Sequence, residues 1–247
     1  MKKLQLIFIS LLLHFAINAQ ETIESNSPYT APRYHYFVNT VLVFNEYLDT
    51  DNGSFNTTQL RVLYPIGSKA WNLRFDLPLI SANTNSENKT GIGDVGAGIS
   101  YIPYREKNKA FAFRTRVYAN TASDSNFGSG KWVIMPAAFF SSYLKNKKLL
   151  WITSIEYQIS FAGSSERSDV SIIAYENLLL YSFGKNWISG DFAFRYNSIL
   201  KGFQNNVFLE FGRKITATNL IYIHPSTAFG NKKTYNYGIE AGLLILF

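Results

Sequence analysis

The 247-residue sequence predicts an all-β fold, a transmembrane antiparallel β-barrel of about 12 strands. Three observations predict it. The closing segment, Thr234 to Phe247, reads TYNYGIEAGLLILF; Tyr235, Tyr237, Ile239, Ala241, Leu243, Ile245 and Phe247 share one face, and Asn236, Gly238, Glu240 and Gly242 share the other. A period of two with one apolar and one small, polar face suits a strand between lipid and a lumen. Aromatic residues are 16% of the chain, with 16 Tyr and 20 Phe, a high share for a soluble domain and one that suits rings at a membrane boundary. After the first 19 residues no apolar run approaches the length of a membrane-spanning helix, and the mean hydropathy of −0.05 fits alternating lumen and lipid positions that average out.

Taken in order, the chain starts with Lys2 and Lys3, then an apolar run from Leu4 to Phe15 and Ile17-Asn18-Ala19 before Gln20. That is the pattern of a secretory signal peptide over residues 1–19, too short to span a bilayer. Residues 20–33, with Ser, Pro, Thr and Asn and no period, read as a periplasmic lead, and residues 34–247 as the barrel. The expected strands are 34–47, 57–66, 70–80, 92–104, 109–120, 132–144, 149–162, 170–182, 187–198, 205–213, 218–226 and 234–247. Each has the length that a tilted strand needs to cross the hydrocarbon layer.

The connections alternate in kind. Gly67-Ser68-Lys69, 105–108, 145–148 and Gly184-Lys185-Asn186 are tight; 49–56, 81–91, 122–131 and 163–169 are longer and rich in Ser, Asn, Asp and Gly. Short and long connections at opposite ends are the outer-membrane pattern, and an even strand count then puts both termini on the short-turn, periplasmic side. The short turns are basic, with Arg105, Lys107, Lys147, Lys148 and Lys185 among them, which suits solubility or contact with anionic headgroups.

Sorting strands into faces yields candidate functional residues. Trp71, Leu73, Phe75, Leu77 and Leu79 oppose Asn72, Arg74 and Asp76; Ile155, Tyr157 and Phe161 oppose Glu156 and Gln158; Phe192, Phe194 and Tyr196 oppose Asp191, Arg195 and Asn197. The sixth and eighth strands are apolar on both faces. The lumen is expected to hold the bases Arg61, Arg74, Arg114, Arg116 and Arg195 and the acids Asp76, Asp94, Glu156, Glu176, Asp191, Glu210 and Glu240. Charges in a narrow barrel must pair or face water, so they form either a solute filter or an ion-pair network that fills a closed lumen. Trp71, Trp151 and Trp187 each follow a short turn and are expected to form one interfacial girdle.

Other chemistries are poorly served. Gly91 to Gly98 (GIGDVGAG) lacks the Lys-Ser/Thr of a phosphate-binding loop, and no helix pattern follows it. His224-Pro225-Ser226 offers a base and a hydroxyl without an orienting third group, and alternation aims both at the lumen. His35 and His224 have no third ligand at metal-binding spacing. The absence of cysteine excludes a lipid anchor, a disulfide and a thiolate metal site. The net charge is +7, or +5 without Lys2 and Lys3, with no dense basic run to suggest nucleic acid. No cofactor and no enzymatic activity are expected.

Two resemblances add to this reading. Glu240-x-Gly242-x-x-Ile245-x-Phe247 resembles the C-terminal signal by which the barrel-assembly machinery recognises bacterial outer-membrane barrels. Arg74-Phe75-Asp76-Leu77-Pro78-Leu79, then Gly91-Ile92-Gly93-Asp94-Val95-Gly96, then Phe127-Gly128-Ser129-Gly130-Lys131-Trp132 with Pro136, resembles the MetA-pathway phenol-degradation family of outer-membrane transporters. The style of the sequence is similar to that of Bacteroidetes proteins. The family resemblance covers roughly residues 60–145 and implies an outer-membrane barrel that passes small, often hydrophobic molecules; it implies no binding residues. The expected function is passive passage of a small-molecule solute across a Gram-negative outer membrane, among its lipids. The alternatives are a structural or interaction barrel with a plugged lumen and a lipid hydrolase using His224 and Ser226.

Overall fold

The computed structural model describes residues 38–67, 70–85, 88–144 and 147–247. The expected signal peptide and lead lie outside these residues. The strands are β1 (Thr40–Thr50), β2 (Gly53–Ile66), β3 (Trp71–Thr84), β4 (Asn88–Ile92), β5 (Gly96–Arg105), β6 (Lys109–Tyr118), β7 (Lys131–Leu144), β8 (Leu149–Gly163), β9 (Ser171–Phe183), β10 (Asn186–Asn197), β11 (Gly202–Phe203), β12 (Asn205–Lys214), β13 (Asn219–Phe229) and β14 (Tyr237–Leu246). All neighbours are antiparallel. β1 pairs with both β2 and β14, and β9 pairs with β10, so the sheet closes on itself. Twelve strands are staves of the barrel. β4 extends the β5 stave beyond a break at residues 93–95, and the two-residue β11 caps β10.

The twelve staves match the twelve expected strands, with two differences at the long-loop end. The first hairpin turns at Asp51-Asn52, where a loop over 49–56 was expected, and β3 runs on to Thr84 before β4 starts at Asn88. The residues concerned, such as Ser54, Asn56, Thr57 and Ser81, are polar but remain paired across the sheet. Polar side chains signal water on both faces; they do not stop the backbone from pairing.

Alternation sets the outer surface. Leu73, Phe113, Ile155, Phe192, Leu209 and Ile239 point outward and are exposed. A contiguous apolar surface of this kind is tolerated in lipid and not in water, and the barrel is therefore transmembrane. Where Asn45, Asn56 and Thr58 interrupt the outward face, they hydrogen-bond one another at 2.7–3.0 Å. Aromatic pairs mark both ends. Trp71 stacks on Tyr101 at 4.3 Å and Tyr181 on Phe183 at 5.9 Å near the short turns; Trp132 meets Phe161 at 6.4 Å and Tyr196 meets Phe203 at 5.3 Å near the long loops.

Trp71 is exposed in this ring, and the half-buried Trp151 lies against Phe140 at 5.8 Å. Trp187 corrects the expected girdle. It is 1% exposed and points into the barrel, with its indole N–H donating to Glu210 at 2.6 Å. Its register opposite Ser182 and Gly212 puts it on the inner face with Ser189 and Asp191, and the missing side chain of Gly212 leaves room for the ring. Gly242 makes the same room for Tyr222.

Gly212→Val would drive a branched side chain into the Trp187 ring. We expect a loss of about 1–3 kcal/mol of stability and a red-shifted tryptophan emission, read by urea titration in lipid vesicles.

Candidate functional site in the lumen

Inward-facing charges from most of the staves gather near mid-height. On the β2–β8 side, Asp76 (1% exposed) is the hub: Arg61 Nε donates to its Oδ1 at 2.7 Å, Arg74 Nε to its Oδ2 at 2.5 Å and Gln59 Nε2 to Oδ1 at 2.7 Å. The hub follows from register, since Arg61 pairs with Asp76 across β2 and β3, and Arg74 is two residues away on the same face. Glu156 is a second hub. Nη2 of Arg114 and Nη2 of Arg116 both donate to its Oε2, at 2.8 and 2.6 Å, reaching across β7. Four arginines thus share two carboxylates.

The β12–β1 side has the opposite character. Across neighbouring staves, Glu46 pairs with Glu240 and Glu240 with His224, and the register puts Glu210 beside His224. Neutral donors serve two of these acids: Trp187 Nε1 donates to Glu210, and the Tyr222 hydroxyl donates to Glu240 at 2.5 Å. His224 Nδ1 is 3.9 Å from both carboxylates, and its ring lies 3.7 Å from that of Phe208. Between the two sides, Arg195 pairs with Glu176 at 2.6 Å and bonds Asn206, and the buried Asp191 lies between Leu178 and Phe208. β5 and β12 stand on opposite sides of the ring, as do β6 and β13. The arginine-rich wall therefore faces the carboxylate row across the lumen, an arrangement that generates a transverse field.

Of the expected lumen charges, Arg74, Asp76, Arg114, Arg116, Glu156, Asp191 and Arg195 take their places on this inner wall. Asp94 does not. It sits in the break between β4 and β5, where alternation lapses, and its carboxylate accepts the N–H groups of Thr121, Ala122 and Ser129 at 2.8–3.2 Å. It anchors the 119–130 loop. Phe127 of that loop, 4% exposed, packs against Gly91 and Gly93, whose partners Ile80 and Pro78 lie on the inner face of β3. The loop therefore folds into the mouth of the barrel. Arg167 donates to the carbonyls of Ser125, Gly128 and Ser129, and the ion pairs Lys89–Asp124 (3.1 Å) and Lys131–Asp169 (2.8 Å) complete the latch. The Lys131 hydrogen bond holds the Asp169 carboxyl below its ordinary value, and the Asn126 N–H, followed by Lys89, does the same for Asp124.

The sequence reading missed an apolar cluster inside the barrel. Leu42, Phe44, Leu150, Ile152, Leu178, Leu180, Trp187, Leu220, Tyr222, Leu244 and Leu246 are 0–7% exposed and pack together at the short-turn end, with Val38, Phe139 and Tyr143 against them. The signals for it were the strands with apolar residues on both faces, now seen as β7 and β9, and the apolar runs Val41 to Phe44 of β1 and Leu243 to Leu246 of β14. His224 and Ser226 both lie on the lumen face, away from the lipid-facing surface. Among the described residues no group of three or more His, Asp or Glu side chains is placed to hold a metal ion.

No family model matches the chain, and no curated protein does. Solved structures do. The COG4313 outer membrane channel from Pseudomonas putida F1 superposes with a TM-score of 0.72 at 12% identity, over 92% of this chain and 100% of the other. The chain has the fold of an outer-membrane barrel. The NanC porin (TM-score 0.62, 12% identity, 83% and 98% covered) and the KdgM porin (0.59, 10%, 84% and 99%) share it. So does the outer membrane phospholipase A from Escherichia coli (0.51, 13%, 92% and 94%). At these identities the likeness carries the architecture alone.

Asp76→Asn removes the shared partner of Arg61 and Arg74, and we expect it to cost about 3 kcal/mol in urea titrations. The two loop carboxylates have lowered pKa values in the folded chain, so their contribution is complete above the ordinary carboxylate range and is lost as pH falls through the lowered values. Protease cleavage within 119–130 should therefore rise on acidification, and Asp94→Ala should raise it at neutral pH.

Proposed function

We propose that the chain forms a passive outer-membrane channel for small molecules. The observation that carries this reading is the mid-lumen belt. A closed structural filling would pair its charges one to one, whereas here four arginines share two carboxylates and face a row of acids. Such a zone sorts solutes by charge and dipole. The apolar cluster at the short-turn end acts on this reading as a hydrophobic gate, dry at rest and opened by side-chain movement. The shared architecture with the Pseudomonas channel and the two porins supports the same reading, as does the resemblance of the motifs around Pro78, Gly93 and Trp132 to the MetA-pathway transporters.

The accompanying assignments belong to this proposal. Residues 1–19 direct export, both termini face the periplasm, and Glu240, Gly242, Ile245 and Phe247 present the assembly signal. In the fold Glu240 and Gly242 serve the lumen, and the Phe247 N–H donates to Asn39 at the β1–β14 seam. The apolar cluster also favours a second reading, a plugged barrel that serves as a membrane anchor and meets partners through its long loops.

Conductance of the purified barrel in planar bilayers separates the two. A channel gated by the cluster should gain conductance when Leu178 and Leu180 are both replaced by alanine. Silence from wild type and variant alike, together with no swelling of proteoliposomes, would leave the anchor reading standing. Lipid hydrolysis unchanged by Ser226→Ala would dispose of the hydrolase alternative.

A further inference from the structure

The arginines of the belt lie at the boundary between charged and apolar parts of the lumen. Arg114 sits over the Phe139 ring at 4.5 Å and Arg61 over Phe44 at 5.2 Å. Phe44 belongs to the apolar cluster and Phe139 packs against it, so the guanidiniums rest directly on apolar side chains. Phe139 also packs against the buried Ile102, Ala110 and Ala112 next to Arg114, and so connects two apolar zones under the same guanidinium.

On the polar side this wall is short of negative charge. Arg114 and Arg116 use one oxygen of Glu156 between them, and the Nε of each is buried with no hydrogen-bond partner among the described residues. A guanidinium has more N–H donors than one shared oxygen can use, and it holds carboxylates with two parallel bonds. On the opposite wall Glu210 is already served by Trp187 and Glu240 by Tyr222. An added charge on the arginine side is therefore favourable if it is negative.

We propose that the lumen binds small amphiphilic anions, a flat apolar or aromatic body bearing one carboxylate. The carboxylate sits on Arg114 and Arg116, and the body lies against Phe139 at the edge of the apolar cluster. Each half of the ligand answers one half of the wall. An inorganic anion satisfies the guanidiniums alone, a neutral ring satisfies the apolar side alone, and a cation is repelled by four arginines. Only passage of the ligand rests on the channel reading; binding does not.

The test uses four probes that differ in one feature each: benzoate, benzyl alcohol, benzylammonium and acetate. Binding to the detergent-purified barrel is measured by calorimetry, and block of ionic current is measured in planar bilayers. Benzoate should bind about tenfold tighter than the other three, a difference of about 1.4 kcal/mol. Arg114→Gln should weaken benzoate about tenfold, and Phe139→Ala should weaken benzoate while leaving acetate unchanged. Benzoate that binds no better than benzyl alcohol or acetate overturns the proposal, whichever variants fold. A barrel that conducts but shows no benzoate preference loses this site and keeps the channel; one that binds benzoate and never conducts keeps the site and loses the channel.

Discussion

Inside a lipid layer every backbone N–H and C=O must find its partner within the protein, and the pairing of β1 with β14 makes that possible here. The seam runs from Thr40 opposite Leu246 to Leu48 opposite Gly238, and it removes the two edges that an open sheet would leave. Closure also divides the side chains. With a period of two, each stave sends alternate residues to lipid and to the interior, and a slip of one residue would put Glu240 in the membrane and Ile239 in the lumen. The register that closes the barrel therefore also places every lumen charge.

An interior enclosed in this way has to be filled or wet. This barrel is filled differently at different heights. Near the short turns, inward leucines from β1, β8, β9, β13 and β14 pack around Trp187. At mid-height, charges take over, held by the shared carboxylates Asp76 and Glu156 on one side and by Tyr222 and Trp187 donors on the other. Towards the long loops, the 119–130 segment folds in and is pinned by Asp94 and Arg167. The glycines make this filling possible, since Gly212 and Gly242 leave the wall thin where a large ring from the next stave lies across it.

The charged belt and the apolar cluster meet at Phe44 and Phe139, and this contact ties packing to function. A guanidinium on an aromatic face keeps its edge free for hydrogen bonds while its flat side is desolvated. Arg61 and Arg114 are oriented by apolar packing as well as by their carboxylate partners. Changes in the cluster should therefore be felt in the belt.

By itself the sequence determined the class, a count of about twelve staves and which residues alternate inward along unbroken strands; it misplaced Asp94. Each of these rests on local information: the two-residue period, the turn residues and the type of residue at each position. It also marked β7 and β9 as apolar on both faces without giving the reason. Only the tertiary structure decided which charges meet, because the Arg116–Glu156 bond joins residues on staves that are not neighbours in the sheet. The two-residue period shared with Ser189 and Asp191 already turned Trp187 inward, against its place beside a turn, and the structure decided what it meets there: the Glu210 carboxylate and the space over Gly212. It decided that Asp94 holds a loop, because a two-residue period cannot be carried through a break in a strand. The apolar cluster was hidden for the same reason: its members are scattered along the chain, and curvature alone brings their inward faces together.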